Sequence, residues 1–402
     1  MTSPKAGLTL AASLALITIL GPAGIDMYLA SMPVMADEFN TSYTKVQLTL
    51  TVFLLAMGAG QLVFGPIIDA YGRRRPLVAG IVVFILTSVW AAGAQSIDML
   101  LLARFCQGMA SALTLVVALS TVRDVSTGTQ AAKLFALLMT IEGLAPVIAP
   151  AIGGYVGSFF GWRGVMLVLA GMGVVAVVNT LLCLPETLPA DKRSSLRPAE
   201  IFRTYKRIAG DKSFLVPALA LSAAFFFLFA YIAGASLVYQ AHYGLSPDIF
   251  GLVFGGTGVA VLLGALSCSR LVVSFGVGRL AIIGVAMMTA GAAVGAVGAF
   301  AGAGMPVIVV GMFIAMFGLG IAESTLMTMA MSSQQTSIGS TAALLGAFQL
   351  VISSAATPLA GGLAEQGAQA WLGSLGIFGL VTLMLTLMGV RKATGLRSLA
   401  GH

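Results

Sequence analysis

Gly21-Pro22-Ala23-Gly24-Ile25-Asp26-Met27-Tyr28 lies near the end of an almost unbroken apolar run from Gly7 to Ala30. About 24 residues at ~1.5 Å rise reach roughly 36 Å, enough to cross a hydrocarbon core of about 30 Å. The run is too long for a signal peptide, shows no clear cleavage site before Asp26, and is followed by many similar runs. Asp26 falls in its last third, just after a Pro/Gly segment that favours a kink. A charged Asp at that depth costs about 2.5–3.5 kcal/mol, so it must face protein or water rather than lipid. It is either an acid near the exit interface reaching for headgroups or a protonatable site on an ion or substrate pathway.

Only 9% of the residues are charged, 58% are hydrophobic and 49 are glycine. Soluble domains carry about 25% charged residues, so the composition describes an all-α integral membrane protein. Cys106, Cys183 and Cys268 all lie in apolar runs, which argues against a disulfide scaffold. His242 and His402 are the only histidines, no Cys/His cluster has metal-ligand spacing, and no metal or cofactor is expected.

Spanning-length runs predict helices near 8–30, 45–68, 76–94, 99–121, 134–158 and 164–184, then 214–239, 249–271, 279–301, 306–329, 341–363 and 371–390. The expected organisation is a six-helix bundle over 1–184, a polar linker over 185–213 and a second six-helix bundle over 214–402. The linker carries Lys192, Arg193, Arg197, Arg203, Lys206, Arg207 and Lys212, with helical spacing suited to a membrane surface. Even-numbered connections, the linker and the two termini hold eighteen of the 21 Lys and Arg; the odd-numbered connections hold Lys45 and Arg163 beside Asp37, Glu38, Asp98, Asp248 and Glu365. This asymmetry predicts cytoplasmic termini and makes the net charge of +7 topological rather than a nucleic-acid footprint. Paired six-helix halves are a transporter pattern, with a binding cavity at the half–half interface near mid-membrane.

The connection after the second span reads Gly65-Pro66-Ile67-Ile68-Asp69-Ala70-Tyr71-Gly72-Arg73-Arg74-Arg75, with a degraded echo, Ser274-Phe275-Gly276-Val277-Gly278-Arg279, in the second half. Gly65 suits close helix approach and Gly72 a tight turn. Asp69 suits a helix N-terminus, with Ser340-Thr341 a candidate partner site, and Arg73 suits a neighbouring acid, with Asp124 the candidate. The fourth span carries Leu102-Ala103-Arg104-Phe105-Cys106-Gln107-Gly108, which places Arg104 at a depth similar to Asp26. Arg104 is either a coupling partner for Asp26 or a structural cap on carbonyls. The fifth span reads Glu142-Gly143-Leu144-Ala145-Pro146-Val147-Ile148-Ala149-Pro150-Ala151-Ile152-Gly153-Gly154, small residues and bends suited to close packing at a half–half boundary.

Together with Ile25-Asp26-Met27-Tyr28-Leu29 and Pro185-Glu186-Thr187, these motifs resemble the major facilitator superfamily. Within it they resemble bacterial drug:proton antiporters of the bicyclomycin/chloramphenicol-resistance (Bcr/CflA) type. The motifs cover 25–187; the second half matches in helix count and general character. Ala70 stands where the family pattern is usually basic, and Ala149 where it usually has Gly. The resemblance implies the major facilitator fold, twelve transmembrane helices around a central cavity, in a bacterial inner membrane. It implies efflux driven by the proton gradient, small amphiphilic drugs and protons as partners, and a proton-linked role for Arg104.

The resulting candidates are Asp26, Arg104 and Glu142 for proton coupling. Ile25, Asp26, Leu50, Ser111, Leu138, Glu142 and Tyr231 are candidates for substrate contact, and Gly65, Asp69, Gly72, Arg73, Asp124, Pro150, Gly153 and Gly154 for gating. Glu142 is read either as a second proton site or as a structural acid, and Glu323 as structural. The aromatic run around Phe225 and Tyr231 is read as core or lipid-facing, or as a drug wall. A monomer is expected. The nearest rival is a proton-coupled metabolite or sugar transporter of the same fold, against which the small-residue fifth span argues. A membrane enzyme lacks a clustered nucleophile, base or metal set, a channel lacks a charged ring or filter, and no Lys follows a Gly to make a nucleotide-binding loop.

Overall fold

The computed structural model describes residues 4–126, 128–193, 197–334 and 338–399. The side chains of Lys5, Lys133, Lys192, Lys392 and Arg397, which entered the charge asymmetry, lie outside the described residues. Among the described residues eleven helical stretches are long and apolar enough to cross a membrane. One of them, Thr140–Cys183, is 44 residues long and breaks at Gly161, where φ is 65°. It therefore crosses twice, giving twelve spans of an all-α multi-pass membrane protein.

Local sequence sets where these helices begin and end. Ser42 and Ser96 cap the second and fourth spans, accepting from Lys45 N and Met99 N at 3.2 Å each. Asp211 caps the seventh, accepting from Ser213 N at 2.8 Å. The second span, Tyr43–Tyr71, stops at Gly72, whose φ of 90° ordinary side chains avoid.

Two boundaries differ from the sequence expectation. The first span does not end at residue 30: it proceeds through Leu20–Asp26, a 3-10 turn Leu29–Ser31 and Met32–Glu38. Glu38 is consequently helical, and its carboxylate accepts from Trp162 Nε1 at 2.6 Å and pairs with Arg163. The fifth span begins at Gly128, so Glu142 sits deeper than a start at residue 134 implies.

The two halves meet through small residues. A Cβ at Gly154 would strike the Pro247 carbonyl, one at Gly251 the Pro150 carbonyl, and one at Gly258 would lie 2.9 Å from the Pro146 carbonyl. The fifth span thus runs backbone to backbone along the eighth, Pro247–Phe275, over this stretch. A second seam joins the second span to the eleventh, Ile338–Ser354 with Ala356–Glu365, where Gly58 meets Leu350 and Gly346 meets Gln61.

Candidate functional site

At the face carrying Asp37, Asp98 and Glu365 the halves are closed by hydrogen bonds, most of them between uncharged groups. The 3-10 turn after Asp26 breaks the i→i−4 ladder of the first span and turns backbone carbonyls outward. Side chains of the seventh span take them: Ser236 Oγ donates to Leu29 O at 2.6 Å and Gln240 Nε2 to Ala30 O at 2.9 Å. Gln240 Nε2 also donates to Ser236 Oγ at 2.9 Å. The seventh span, Lys212–Leu237, changes to a π-helix over Val238–His242 at this level, so both partners are irregular where they touch. Tyr43 Oη and Gln47 Nε2 from the second span both donate to Ala233 O, at 2.7 and 3.0 Å. Thr44 N donates to Glu365 Oε1 at 2.9 Å, and the Thr51 and Thr357 hydroxyls meet at 2.6 Å.

The opposite, basic face holds a cavity of about 780 Å³ between the halves. Its walls are Gln61, Gly65 and Asp69 of the second span, Ser120 and Arg123 of the fourth, and Ser340 of the eleventh. The linker helix Pro198–Gly210 crosses its mouth, turning Ile201, Thr204 and Tyr205 toward it, and Tyr205 Oη donates to Leu62 O at 3.3 Å. Partial burial and the nearby Asp69 carboxylate both raise the Tyr205 pKa.

Arg73 organises the charges beside this cavity. It is 6% exposed, and its guanidinium donates to Asp69 Oδ1 at 2.6 Å and Asp124 Oδ2 at 2.9 Å. The Arg73–Asp124 contact expected from the sequence is therefore present. Among the described residues Asp69 makes no bond to the start of the eleventh span; it lines the cavity with Ser340 and is held by Arg73. Gly65 does not serve a close helix approach either: nothing lies within 4 Å of a Cβ there, and it lines the cavity. Gly108, where a Cβ would strike the Phe53 carbonyl, makes that approach instead.

Glu186, from Pro185-Glu186-Thr187, caps the third span, Arg74–Ala92. Its carboxylate accepts from Arg73 N at 2.8 Å, Leu188 N at 3.0 Å and Arg74 N at 3.3 Å. Burial alone would raise its pKa; the donated N–H groups and the Arg193 charge outweigh this and hold it below the usual glutamate value. Thr187 Oγ1 donates to Asp124 Oδ2 at 3.1 Å, which ties the linker to Arg73's acid.

Of the two readings of Arg104, the structure shows the cap on a carbonyl and not a pairing with Asp26. Arg104 is fully buried, donates to Gly24 O at 2.6 Å and to Gln107 Oε1, and lies 4.4 Å from the Tyr28 ring and 4.2 Å from the Phe53 ring. Gln107 passes the network to Ser88 Oγ at 2.7 Å. Residues two apart on a helix point roughly 200° apart, so a guanidinium fixed on the Gly24 side is turned away from Asp26. Asp26 itself is 4% exposed and has no hydrogen-bond partner among the described residues.

The other candidate contact residues are also placed by packing. Ile25, Leu50, Ser111 and Leu138 are buried and lie off the basic-face cavity. Tyr231 is a core residue in this conformation rather than a cavity wall: its ring stacks 5.4 Å from Phe254 and 6.0 Å from Trp371, and its hydroxyl meets Thr257 at 3.2 Å. Glu142, half-buried, interacts electrostatically with half-buried Glu323 of the tenth span, Met305–Ser332, bringing together one acid from each half. Pro150 and Gly154 lie on the seam with the eighth span, and Gly153 packs on the Met27 backbone.

Two sets of spans joined by hydrogen bonds at one face and separated by a cavity at the other are the arrangement of a carrier. The family model described as Major Facilitator Superfamily matches residues 14–357. The chain belongs to the major facilitator superfamily. An uncharacterized MFS-type transporter, YdgK, of Bacillus subtilis is 36% identical over 94% of this chain and 96% of its own length. A bicyclomycin resistance protein homolog of Haemophilus influenzae is 32% identical over 69% of each chain. The solved D-xylose-proton symporter superposes with a TM-score of 0.73 over 94% of this chain and 97% of its own at 14% identity, a likeness of fold alone. The resemblance to the bicyclomycin-resistance type carried by the motifs agrees with the Haemophilus relative, and the chain is a superfamily transporter.

Sequence reasoning passed over Gln47, Gln107, Ser236 and Gln240. The available signal was an amide or hydroxyl inside an apolar helix, where each polar group needs a partner.

Proposed function

We propose that this transporter is a proton-coupled efflux antiporter for small amphiphilic drugs, working by alternating access in a bacterial inner membrane. Its basic face and both termini are then cytoplasmic, and the energy source is the proton gradient. The observation that carries the reading is Asp26, an unpartnered buried carboxyl group three residues before the backbone that the seventh span grips. A buried carboxylate without a partner is costly as an anion, so gaining or losing a proton alters the energy of that interface. Arg104 fixes the same helix from its other side and serves as a positioning residue. Glu142 is a second proton site, with Glu323 facing it from the other half. The motif set and the name of the Haemophilus relative support drugs as the substrate class. Asp69, Arg73 and Asp124 form the charged gate of the basic face, and the fifth–eighth seam supplies the rigid contact about which the halves move.

The test is drug uptake and drug-induced proton release in vesicles under an imposed pH gradient, with a panel of chloramphenicol-like and bicyclomycin-like compounds. Asp26→Asn is expected to fold and to retain drug binding while losing uphill transport. An Asn variant that pumps uphill and releases protons normally would rule out Asp26 as the coupling site.

A further inference from the structure

A patch outside the proposed transport path lies where the third and sixth spans meet the basic face. Arg74, Arg75, Glu186 and Arg193 line a separate cavity of about 270 Å³ there. Three guanidinium groups meet one carboxylate, and that carboxylate already accepts three backbone N–H groups. It stands 3.9 Å from Arg193 Nη2, so much of the positive charge is uncompensated. Arg74 is held in place by donating from Nη2 to Leu181 O at 2.6 Å. The Nε–H groups of Arg74 and Arg193 are both buried and have no hydrogen-bond partner among the described residues. Buried donors on cations are normally satisfied, so these two add to the uncompensated positive character of the residues that line the cavity, which points to an anionic acceptor there.

The wall that rises from the patch toward mid-membrane is apolar. Leu182 is 79% exposed, and Leu181, Val82, Val83 and Leu86 are exposed beside it. The two spans pack tightly behind this wall, where Gly173 meets Ile85. An arginine cluster at the membrane surface beneath an apolar wall matches an amphiphile with a phosphate head, because guanidinium groups bind phosphate oxygens in pairs and chains cover exposed leucine and valine. We propose that Arg74, Arg75 and Arg193 bind the phosphate of an anionic phospholipid whose acyl chains lie along the third and sixth spans.

Native mass spectrometry of the full chain in detergent tests this, with phosphatidylglycerol, phosphatidylcholine and inorganic phosphate as probes. The wild type is expected to retain phosphatidylglycerol in preference to phosphatidylcholine, and equimolar inorganic phosphate is expected not to displace it. R75Q/R193Q leaves the Arg74–Leu181 bond in place and should weaken phosphatidylglycerol binding about twenty-fivefold, since each surface arginine contributes about fivefold. R203Q, which removes a linker cation outside the patch, should bind as the wild type does. Equal retention by R75Q/R193Q and wild type, or equal weakening by R203Q, would overturn the site. Displacement by inorganic phosphate would overturn the lipid as its source. Lipid retention is read without any transport, so this result is independent of the drug and proton reading.

Discussion

The neutral closure between the first and seventh spans sets the balance between two carrier conformations, and its strength can be worked from its bonds. Gln240→Leu removes the donations to Ala30 O and Ser236 Oγ, and S236A/Q240L removes the donation to Leu29 O as well. Hydrogen bonds between membrane helices average about 0.6 kcal/mol. Only the donations to Ala30 O and Leu29 O cross between the spans, since Gln240 and Ser236 share the seventh. One lost crossing bond amounts to about 0.6 kcal/mol and two to about 1.2, or roughly threefold and eightfold in an equilibrium constant. The cost of those two falls on the closed state alone, because they link spans that separate when this face opens, whereas the Gln240–Ser236 bond within the seventh span is lost from both states. Spin labels at D37C and A241C, exposed positions on the two spans, report the separation once Cys106, Cys183 and Cys268 are replaced by serine. The open-to-closed ratio should rise by those two factors. Because no charge takes part in these three bonds, the effect should hold between low and high salt. A ratio within about twofold of wild type in both variants, with the fold intact, would refute the latch.

At the charged gate, Asp124→Asn should destabilise the protein much more than Asp69→Asn. Asp124 is the better-buried partner of a buried guanidinium, whereas Asp69 is 52% exposed. Breaking a buried pair costs about 3–5 kcal/mol and losing an exposed one about 0–1; thermal melts of the two variants in detergent check the order, and equal losses would contradict it. Glu186→Gln should weaken the cap on the third span by about 1 kcal/mol at neutral pH. Because the folded-state pKa of Glu186 is depressed, its contribution is present above the ordinary value of 4.5 and is lost as pH falls through the lower folded value. The melting difference between wild type and variant should shrink across that acidic window, and a difference that grows on acidification would reverse the assignment.

Much of the fold was legible in the chain because a bilayer leaves few choices. Apolar runs long enough to cross must be helices with their backbone bonds satisfied internally, so the spans follow from composition and length. Gly72 and the Arg73–Asp124 contact were legible for a similar reason, since a tight turn and an arginine near an acid are local demands. Asp26 could be singled out as an acid where lipid is the alternative solvent. Its environment could not, because whether Arg104 reaches Asp26 or Gly24 depends on helix rotation, and a 3.6-residue period separates those two residues by more than half a turn. Pro33 is a local signature of the break in the first span, since it has no N–H to give the Leu29 carbonyl. What takes the freed carbonyls was not legible, because Ser236 and Gln240 lie some 207 and 210 residues away. Burial of Tyr231 was hidden in the same way, since an aromatic in an apolar helix can face lipid, cavity or core, and Phe254 and Trp371 decided for core. The sequence alone determined which segments cross the membrane and which polar groups are carried with them. Tertiary packing determined which of those groups face one another, because helix rotation and helix pairing are fixed by long-range contacts.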